Sequence, residues 1–193
     1  MTSKLSYSNK TIELCSKKRL YNNSKYLIQL QRLAQDHKLP KNLLAGIYLI
    51  ETYFRPMTIR YAEYVMTVFG MIRNKISKSP FKNYTIGRCQ LGVAYILKYY
   101  DKYTYKHVKK IYSLTIRDFG NIIRSMHYKE NFKICAVMIE DIYKRALRTT
   151  DDFNLQLRII GQAFNGRYSY GLLLEEVVNF LNNNEYYKKI CQD

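Results

Sequence analysis

Residues 43–54 read Leu-Leu-Ala-Gly-Ile-Tyr-Leu-Ile-Glu-Thr-Tyr-Phe, and they carry the most informative pattern in the chain. The large apolar residues recur at intervals of three and four, which places their side chains on one face of an α-helix. Glu51 lies close to that apolar face, and no other Asp or Glu occurs within ten residues of it on either side. The pattern therefore predicts a core helix that ends with a lone carboxyl group.

Glycoside chemistry gives one reason to place a carboxyl group in apolar surroundings. The acid that protonates a leaving glycosidic oxygen must hold its proton near neutral pH, and removal of a carboxyl group from water favours the protonated form. Arg55, four residues after Glu51, would oppose this effect if the two side chains paired. From the residues alone, Glu51 is interpreted either as a general acid or as a structural partner of a cation or a helix end.

The same helical spacing recurs through most of the chain. It predicts helices over residues 24–38, from Pro40 to residue 54, and over 57–76, 91–100, 106–112, 116–126, 131–147, 155–164 and 169–183. In the helix over 57–76, the residues expected to face inward are Ile59, Ala62, Tyr64 or Val65, Phe69 and Ile72. Residues 75–88 break the pattern and predict a loop or a small hairpin.

These patterns predict an all-α or α-dominant fold, or an α+β fold with at most a small hairpin. Residues 1–23 mix Lys and Ser without helical spacing, which predicts a loose basic arm. No linker rich in Pro or Gly divides the remainder, so residues 24–193 are predicted to form a single domain.

The chain is strongly basic, with 32 Lys and Arg residues against 15 Asp and Glu residues and a net charge of +17. Such an excess favours polyanionic partners, namely nucleic acid, anionic lipid surfaces or anionic cell-wall polymers. A solvated basic surface explains the excess equally well. No helix-turn-helix, zinc or RNP signature supports nucleic acid, which makes it the less favoured partner.

Two observations bear on location. The uncharged apolar runs are far shorter than the roughly 20 residues that span a bilayer, which predicts no transmembrane segment. Residues 1–23 contain no apolar signal-peptide core. The sequence leaves open a trimmed precursor, export without a signal peptide, or a cytoplasmic location.

Cysteine and histidine spacing gives no indication of a metal site. Cys15, Cys89, Cys135 and Cys191 include no Cys-x-x-Cys pair, and the three histidines are scattered along the chain. This spacing excludes a zinc finger. Two disulfides and four buried thiols are both compatible with these positions.

Three further fragments follow Glu51-Thr52-Tyr53-Phe54. They are Thr85-Ile86-Gly87-Arg88-Cys89-Gln90, Asn131-Phe132-Lys133-Ile134-Cys135-Ala136, and Gly161-Gln162-Ala163-Phe164-Asn165-Gly166 with Tyr170 and Val177 after it. In this order they resemble, over residues 40–183, the lysozyme-like lytic transglycosylases (the soluble lytic transglycosylase and goose-type lysozyme superfamily). That family carries Glu-Ser-x-Phe, then Gly-Leu-Met-Gln or Ser-Ile-Gly-x-x-Gln, then Asn-Ile-x-x-Gly/Ala, and finally Ala-x-x-Tyr-Asn-Gly.

The resemblance implies a lysozyme-like helical domain with a substrate cleft. The implied activity is cleavage of the β-1,4 glycosidic bond between N-acetylmuramic acid and N-acetylglucosamine in bacterial peptidoglycan, without a metal or cofactor. Glu51 is the implied general acid/base. The implied substrate-binding residues are Gly87, Gln90, Asn165, Tyr168 and Tyr170. The implied partner is the peptidoglycan glycan strand, and the implied location is secreted or associated with the cell wall.

A single carboxylate stands out in this pattern. No Asp or Glu occurs over residues 70–100. Glu63, just before that interval, is either a secondary acid or a solvated helix residue. The lone Glu51 favours a one-glutamate lytic transglycosylase over a muramidase that uses two carboxylates.

Four positions depart from the family pattern. Thr52 replaces Ser, Phe164 replaces Tyr, and Arg88 and Cys89 occupy positions where small or apolar residues are common. The alternatives to an active enzyme are a catalytically inactive lysozyme-like binding or toxin module, and a basic nucleic-acid-binding helical protein.

Overall fold

The computed structural model describes residues 7–55, 57–82, 84–100 and 114–192. The helix predicted over residues 106–112 lies outside these residues. The described residues are predominantly helical, which confirms the predicted all-α or α-dominant class.

Eleven helices and one pair of short strands occur in the described part of the chain. The helices are α1 (Asn9–Leu14), α2 (Lys17–Asn22), α3 (Ser24–Asp36), α4 (Leu43–Phe54), α5 (Met57–Ser77), α6 (Val93–Tyr100), α7 (Ile116–Met126), α8 (Tyr128–Leu147), α9 (Phe153–Asn165), α10 (Tyr168–Asn183) and α11 (Glu185–Ile190). Strands β1 (Thr85–Ile86) and β2 (Leu91–Gly92) pair antiparallel, with Thr85 opposite Gly92 and Ile86 opposite Leu91. Across the described ranges, none of the helices combines the length and the apolar composition that crossing a membrane requires.

The chain divides into two compact units. The first contains residues 1–53 and 136–193, and the second contains residues 54–135. The division does not follow the boundary expected at residue 23. Helices α4 and α8 contribute residues to both units.

Helix α4 forms the core of the first unit. Every residue from Leu43 to Glu51 is buried, so the helix is covered on all sides. Gly46 allows a close approach to α10, because a Cβ atom at this position would lie only 3.0 Å from Val178 and 3.2 Å from Leu174.

Two contacts establish the direction of α4 relative to α10. Gly46 lies against Leu174 and Val178. Asn42, just before α4, donates a hydrogen bond from Nδ2 to Asn182 Oδ1 at 2.6 Å. Asn42, which precedes Gly46 in the chain, contacts Asn182, which follows Leu174 and Val178. The two helices therefore run antiparallel. The C-terminal end of α4 therefore lies at the same end of the unit as the start of α10.

Helices α9 and α10 form a tight hairpin. Asp152 caps the start of α9 by accepting hydrogen bonds from two backbone N–H groups. A Cβ atom on Gly161 would lie 2.7 Å from the Cα atom of Gly171, and one on Gly171 would lie 2.3 Å from the backbone oxygen of Arg158. The two helices can cross at this distance only because side chains are absent there.

The N-terminal segment is helical over residues 9–14 and 17–22 rather than a loose arm. Thr11, Leu14 and Leu20 are buried. Ser8 Oγ and Thr11 Oγ1 donate hydrogen bonds to Glu176 of α10, at 2.5 and 2.7 Å. This segment has too few apolar residues to show a helical pattern in the sequence. Its helices are stabilised instead by contacts with residues distant in the chain, such as Glu176 of α10.

The inward face predicted for α5 is wrong. Ile59, Ala62, Val65, Phe69 and Ile72 are exposed, and Tyr64 is half-buried. The buried side of the helix instead consists of Arg60, Thr67, Met71 and Asn74. Hydrogen bonds made by its polar members explain the reversal.

The four cysteines are thiols, with Cys15, Cys89 and Cys135 buried and Cys191 half-buried. Burial raises the pKa of the Cys15 thiol to about 12. This thiol is therefore protonated and unreactive at neutral pH.

We expect Gly171→Ala to lower the free energy of unfolding by about 1–3 kcal/mol, because the new methyl group meets the backbone oxygen of Arg158. Gly120→Ala in α7 is the matched control, since no atom lies within 4 Å of its Cβ position. The control should be neutral or stabilise by up to about 1 kcal/mol. Urea unfolding followed by circular dichroism measures both changes, and equal effects would contradict the close crossing of α9 and α10.

Candidate functional site

Glu51 lies in the last turn of α4, and only 6% of its surface is exposed. Ile47 and Ile50, on the same helix, are fully buried. The hydroxyl of Thr52 turns back onto the helix and donates a hydrogen bond to the carbonyl oxygen of Tyr48 at 2.8 Å. Glu51 therefore belongs to a buried and largely apolar core helix.

Antiparallel packing brings four of the predicted site residues to one end of the first unit. Glu51 lies five residues beyond Gly46, or about 7.5 Å along the helix axis. Tyr168 and Tyr170 lie at the start of α10, on the same side of the crossing. Asn165 ends α9, just before them. The end of α4, the end of α9 and the start of α10 therefore lie near the same level of the first unit.

Asn165 and Tyr168 are exposed, whereas Tyr170 belongs to the core. The turn after Asn165 depends on Gly166, which has a φ of 82° and donates its N–H to the carbonyl oxygen of Gln162 at 2.7 Å. The ring of Tyr170 packs against Phe164, with 5.9 Å between the ring centroids. Of the two tyrosines predicted to bind substrate, Tyr168 is the one with an accessible ring.

Arg158 lies beside Tyr168 on this surface. Its Nη2 donates a hydrogen bond to Glu175 Oε1 at 3.1 Å, and its Nε donates to the other carboxylate oxygen of Glu175. The pKa of Arg158 is raised mainly by the hydrogen bonds to Glu175, and the nearby Tyr168 side chain adds to the rise. The carboxylate of Glu175 therefore holds a cation close to the phenol ring.

The second unit contains the turn over residues 87–90. Gly87 and Gln90 have φ angles of 79° and 51°, in the left-handed region. Asn131 of α8 occupies the space beside the turn: it accepts a hydrogen bond from the Cys89 backbone N–H at 2.8 Å and donates one to the Ile86 carbonyl at 3.3 Å. A Cβ atom at Gly87 would lie 1.9 Å from Asn131 Nδ2, so only glycine fits.

Arg55 brings the other three predicted site residues together. Its Nη1 donates to Glu63 Oε1, to Thr85 Oγ1 at 2.9 Å and to Gln90 Oε1 at 3.0 Å. Gln90 Nε2 in turn donates to the carbonyl oxygen of Gly87 at 2.9 Å. The side chain of Gln90 is therefore used to brace the turn.

Glu63 is not a solvated helix residue, because only 19% of its side chain is exposed. Burial raises the pKa of its carboxyl group, and the nearby guanidinium groups of Arg55 and Arg60 offset only part of that rise. Burial likewise raises the pKa of the neighbouring Tyr64 phenol. Glu63 is therefore a carboxyl group that takes up a proton more readily than an exposed glutamate.

The site residues fall into two groups by compact unit. Glu51, Asn165, Tyr168 and Tyr170 belong to the first unit, and Glu63, Gly87 and Gln90 belong to the second. Within the described ranges, no group of three or more His, Cys, Asp or Glu residues could hold a metal ion. Comparisons with models of protein families, with curated proteins and with solved structures found no match to this chain.

Sequence reasoning missed two organising residues. The sequence indicates Arg55 only as a neighbour of Glu51, whereas in the structure it links Glu63 to Gln90. The sequence motif that contains Asn131 indicates no role for this residue. A glycine in a turn can indicate a positive φ angle, such as the one at Gly87. No signal in the sequence shows which distant side chain fills the space beside this glycine.

We expect Asn131→Ala to lower the free energy of unfolding by about 1–3 kcal/mol, because the buried Cys89 N–H loses its acceptor. The exchange of that amide with deuterium should become faster. Lys133→Ala, an exposed position of the same helix, should change neither quantity. Unchanged exchange at Cys89 in Asn131→Ala would show that this side chain does not hold the turn.

Glu63 should make stability depend on pH. Because the pKa of Glu63 is raised in the folded state, the folded protein binds more protons than the unfolded chain as the pH rises past the ordinary value of 4.5. The free energy of unfolding therefore falls as the pH rises from that value through the raised pKa. Glu63→Gln should remove this fall, whereas Asp36→Asn, at an exposed site, should retain it. Urea unfolding at several values from about pH 4 to about pH 7 measures the slope; identical slopes in wild type and Glu63→Gln would contradict the assignment.

Proposed function

We propose that this protein cleaves the β-1,4 glycosidic bond between N-acetylmuramic acid and N-acetylglucosamine in bacterial peptidoglycan, with Glu51 as the general acid/base. The observation that supports the proposal most directly is the enclosure of this carboxyl group at the end of core helix α4. Asn165 and Tyr168 lie exposed at the same end of the first unit.

The chemistry needs a carboxyl group that is protonated at the start and can recover its proton. Glu51 donates its proton to the glycosidic oxygen while the bond between that oxygen and C1 of the muramyl residue breaks, and positive charge develops on the sugar ring. The resulting carboxylate then accepts a proton from the C6 hydroxyl of the same sugar as its oxygen bonds to C1. The products are a 1,6-anhydro-muramyl end and a free C4 hydroxyl, and Glu51 is protonated again.

The burial of Glu51 at the end of core helix α4 suits this role. A general acid with an ordinary glutamate pKa would lose its proton well below neutral pH, and removal from water favours the protonated form. No second carboxylate is required, because the substrate supplies its own nucleophile. Where water attacks C1 in place of the C6 hydroxyl, the same arrangement acts as a muramidase and leaves a reducing end.

The other residues receive binding or scaffolding roles. Asn165 offers an exposed amide and Tyr168 an exposed ring, which are groups that hydrogen-bond to and stack on sugars. Gly87 and Gln90 shape the turn that we assign to substrate binding, while Tyr170 supports Asn165 through its packing against Phe164. Phe164, which replaces the tyrosine of the family pattern, contributes packing where a hydroxyl is lost.

The charge distribution favours a polyanionic cell wall as the setting. Residues 54–135 contain sixteen Lys and Arg residues against four Asp and Glu residues, a net charge of +12 of the chain's +17. Anionic wall polymers would attract such a surface over the Debye length of roughly 8–10 Å at ordinary salt. High salt should therefore weaken attachment to walls without changing the chemistry at Glu51.

We expect Glu51→Gln to reduce the release of muropeptides from purified peptidoglycan by about 10²–10⁴-fold, since the amide cannot donate and recover the proton. Glu185→Gln, an exposed glutamate in the same unit, is the matched control and should retain full activity. Circular dichroism should show that both variants fold as the wild type does. The measurement is mass spectrometry of the soluble products, with clearance of turbidity as the rate.

Products distinguish the two forms of the reaction. Anhydro-muramyl ends establish a transglycosylase, and reducing ends establish a muramidase. Absence of release by the wild type across several wall types and salt concentrations would overturn the enzyme proposal. Wall binding without release would then favour a catalytically inactive binding module, and salt-dependent binding to duplex DNA would favour a nucleic-acid-binding protein.

A further inference from the structure

Helix α5 carries a row of exposed apolar side chains along most of its length. The row, called here the apolar stripe, consists of Tyr61, Val65, Phe69, Ile72 and Ile76, which are between 47% and 80% exposed. Their spacing of four, four, three and four residues places them on one face of the helix. From Tyr61 to Ile76 the stripe extends over about 22 Å at 1.5 Å per residue.

The opposite side of α5 is polar, and it is the side that is buried. Arg60 donates from Nε to the backbone oxygen of Arg55 at 2.9 Å. Asn74 donates to the carbonyl oxygen of Ser79 at 2.7 Å and accepts from the backbone N–H of Leu114 at 2.9 Å. These bonds hold the helix with its apolar face outward, and the stripe stays exposed to solvent. Contiguous exposed apolar surface of this kind marks an interaction site.

Positive charge borders the stripe. At about 100° per residue, Arg73 and Lys75 lie roughly 80° to either side of the stripe's centre, and both are exposed. Glu63 is the one acid of α5, and its carboxylate is paired with Arg55 on the buried side. The stripe therefore has cations at its rim and no acid among its members.

We propose that the apolar stripe docks on the surface of an anionic lipid bilayer. A helix that lies in the plane of the interface buries its apolar face at the boundary between headgroups and acyl chains, while flanking Lys and Arg side chains reach the anionic headgroups. Tyr61 adds a ring of the kind that is enriched at that boundary, and Phe69 adds apolar area to the face that is buried. Arg60, Thr67 and Asn74, on the buried side, keep α5 attached to its own unit.

The charges argue for lipid over a second copy of this chain. Two such stripes could cover each other, but each belongs to a unit of net charge +12, and contact would bring the cations at both rims together. The exposed face of a single helix also offers a convex ridge rather than a groove for a partner's side chains. A bilayer surface accommodates a ridge and supplies the opposite charge. The docking surface is independent of the glycosidase chemistry proposed above.

The test is co-sedimentation of the full chain with vesicles of phosphatidylcholine containing about 30% phosphatidylglycerol, compared with phosphatidylcholine alone. We expect binding to the anionic vesicles that weakens with salt. Phe69→Gln/Ile72→Gln should lower the partition coefficient at least about tenfold. The matched control is Tyr21→Gln/Ile12→Gln in the first unit, where the two side chains are 69% and 51% exposed against 65% and 47% in the stripe. It should bind as the wild type does.

A second pair of variants tests the rim. Arg73→Gln/Lys75→Gln should weaken binding more than Lys129→Gln/Lys133→Gln, which removes the same charge from exposed positions of α8. Three results would overturn the proposal. They are failure of the wild type to bind anionic vesicles, equal loss in the stripe variant and its control, and formation of a dimer, by light scattering, that Phe69→Gln/Ile72→Gln abolishes. None of these readouts depends on cleavage of peptidoglycan.

Discussion

The close contact of α4 with α10 at Gly46 is the constraint on which the first unit depends. A buried helix such as α4 needs apolar cover on every side, and α10 supplies part of it only because Gly46 leaves space for Val178 and Leu174. The same contact, with the hydrogen bond from Asn42 to Asn182, makes the helices antiparallel. This direction is what brings the end of α4, with its carboxyl group, to the level of the turn between α9 and α10.

In the second unit, hydrogen bonds hold the turn over residues 87–90. Asn131 fills the space that a side chain at Gly87 would need and satisfies two backbone groups of the turn. Arg55 then joins Glu63 to Gln90. Because a buried polar group that loses its partner costs about 1–3 kcal/mol, this network makes the turn rigid and also makes it sensitive to single substitutions.

Much of the helical framework could be predicted from the sequence, because strong apolar periodicity and clear end signals coincide. The helix expected over 116–126 has those bounds, and those expected over 155–164 and 169–183 begin within two residues of α9 and α10. Asp152 provides the cap and Gly166 the left-handed end. In these segments local preference and tertiary packing agree.

Prediction failed where local preference and tertiary packing disagree. In α5 the apolar pattern indicated the wrong inward face, since Arg60 and Asn74 make the contacts that orient the helix. The helices over 9–14 and 17–22 are held by Glu176 and by burial of Leu14 and Leu20, which depend on residues distant in the chain. Among the candidate site residues, the enclosure of Glu51 followed from its apolar neighbours, but the partners of Gln90 required the structure.

The position of Glu51 bears on function because burial of an ionisable group is unfavourable to folding. A carboxylate loses favourable interactions with water when it is enclosed, and an apolar residue of similar volume in a core helix generally gives equal or greater stability. None of the other residues from Leu43 to Ile50 carries a charge. Ionisable groups kept in such surroundings are concentrated at functional sites, where the surroundings alter their affinity for protons. In this chain the stability of α4 and the chemistry proposed for Glu51 therefore depend on the same apolar packing.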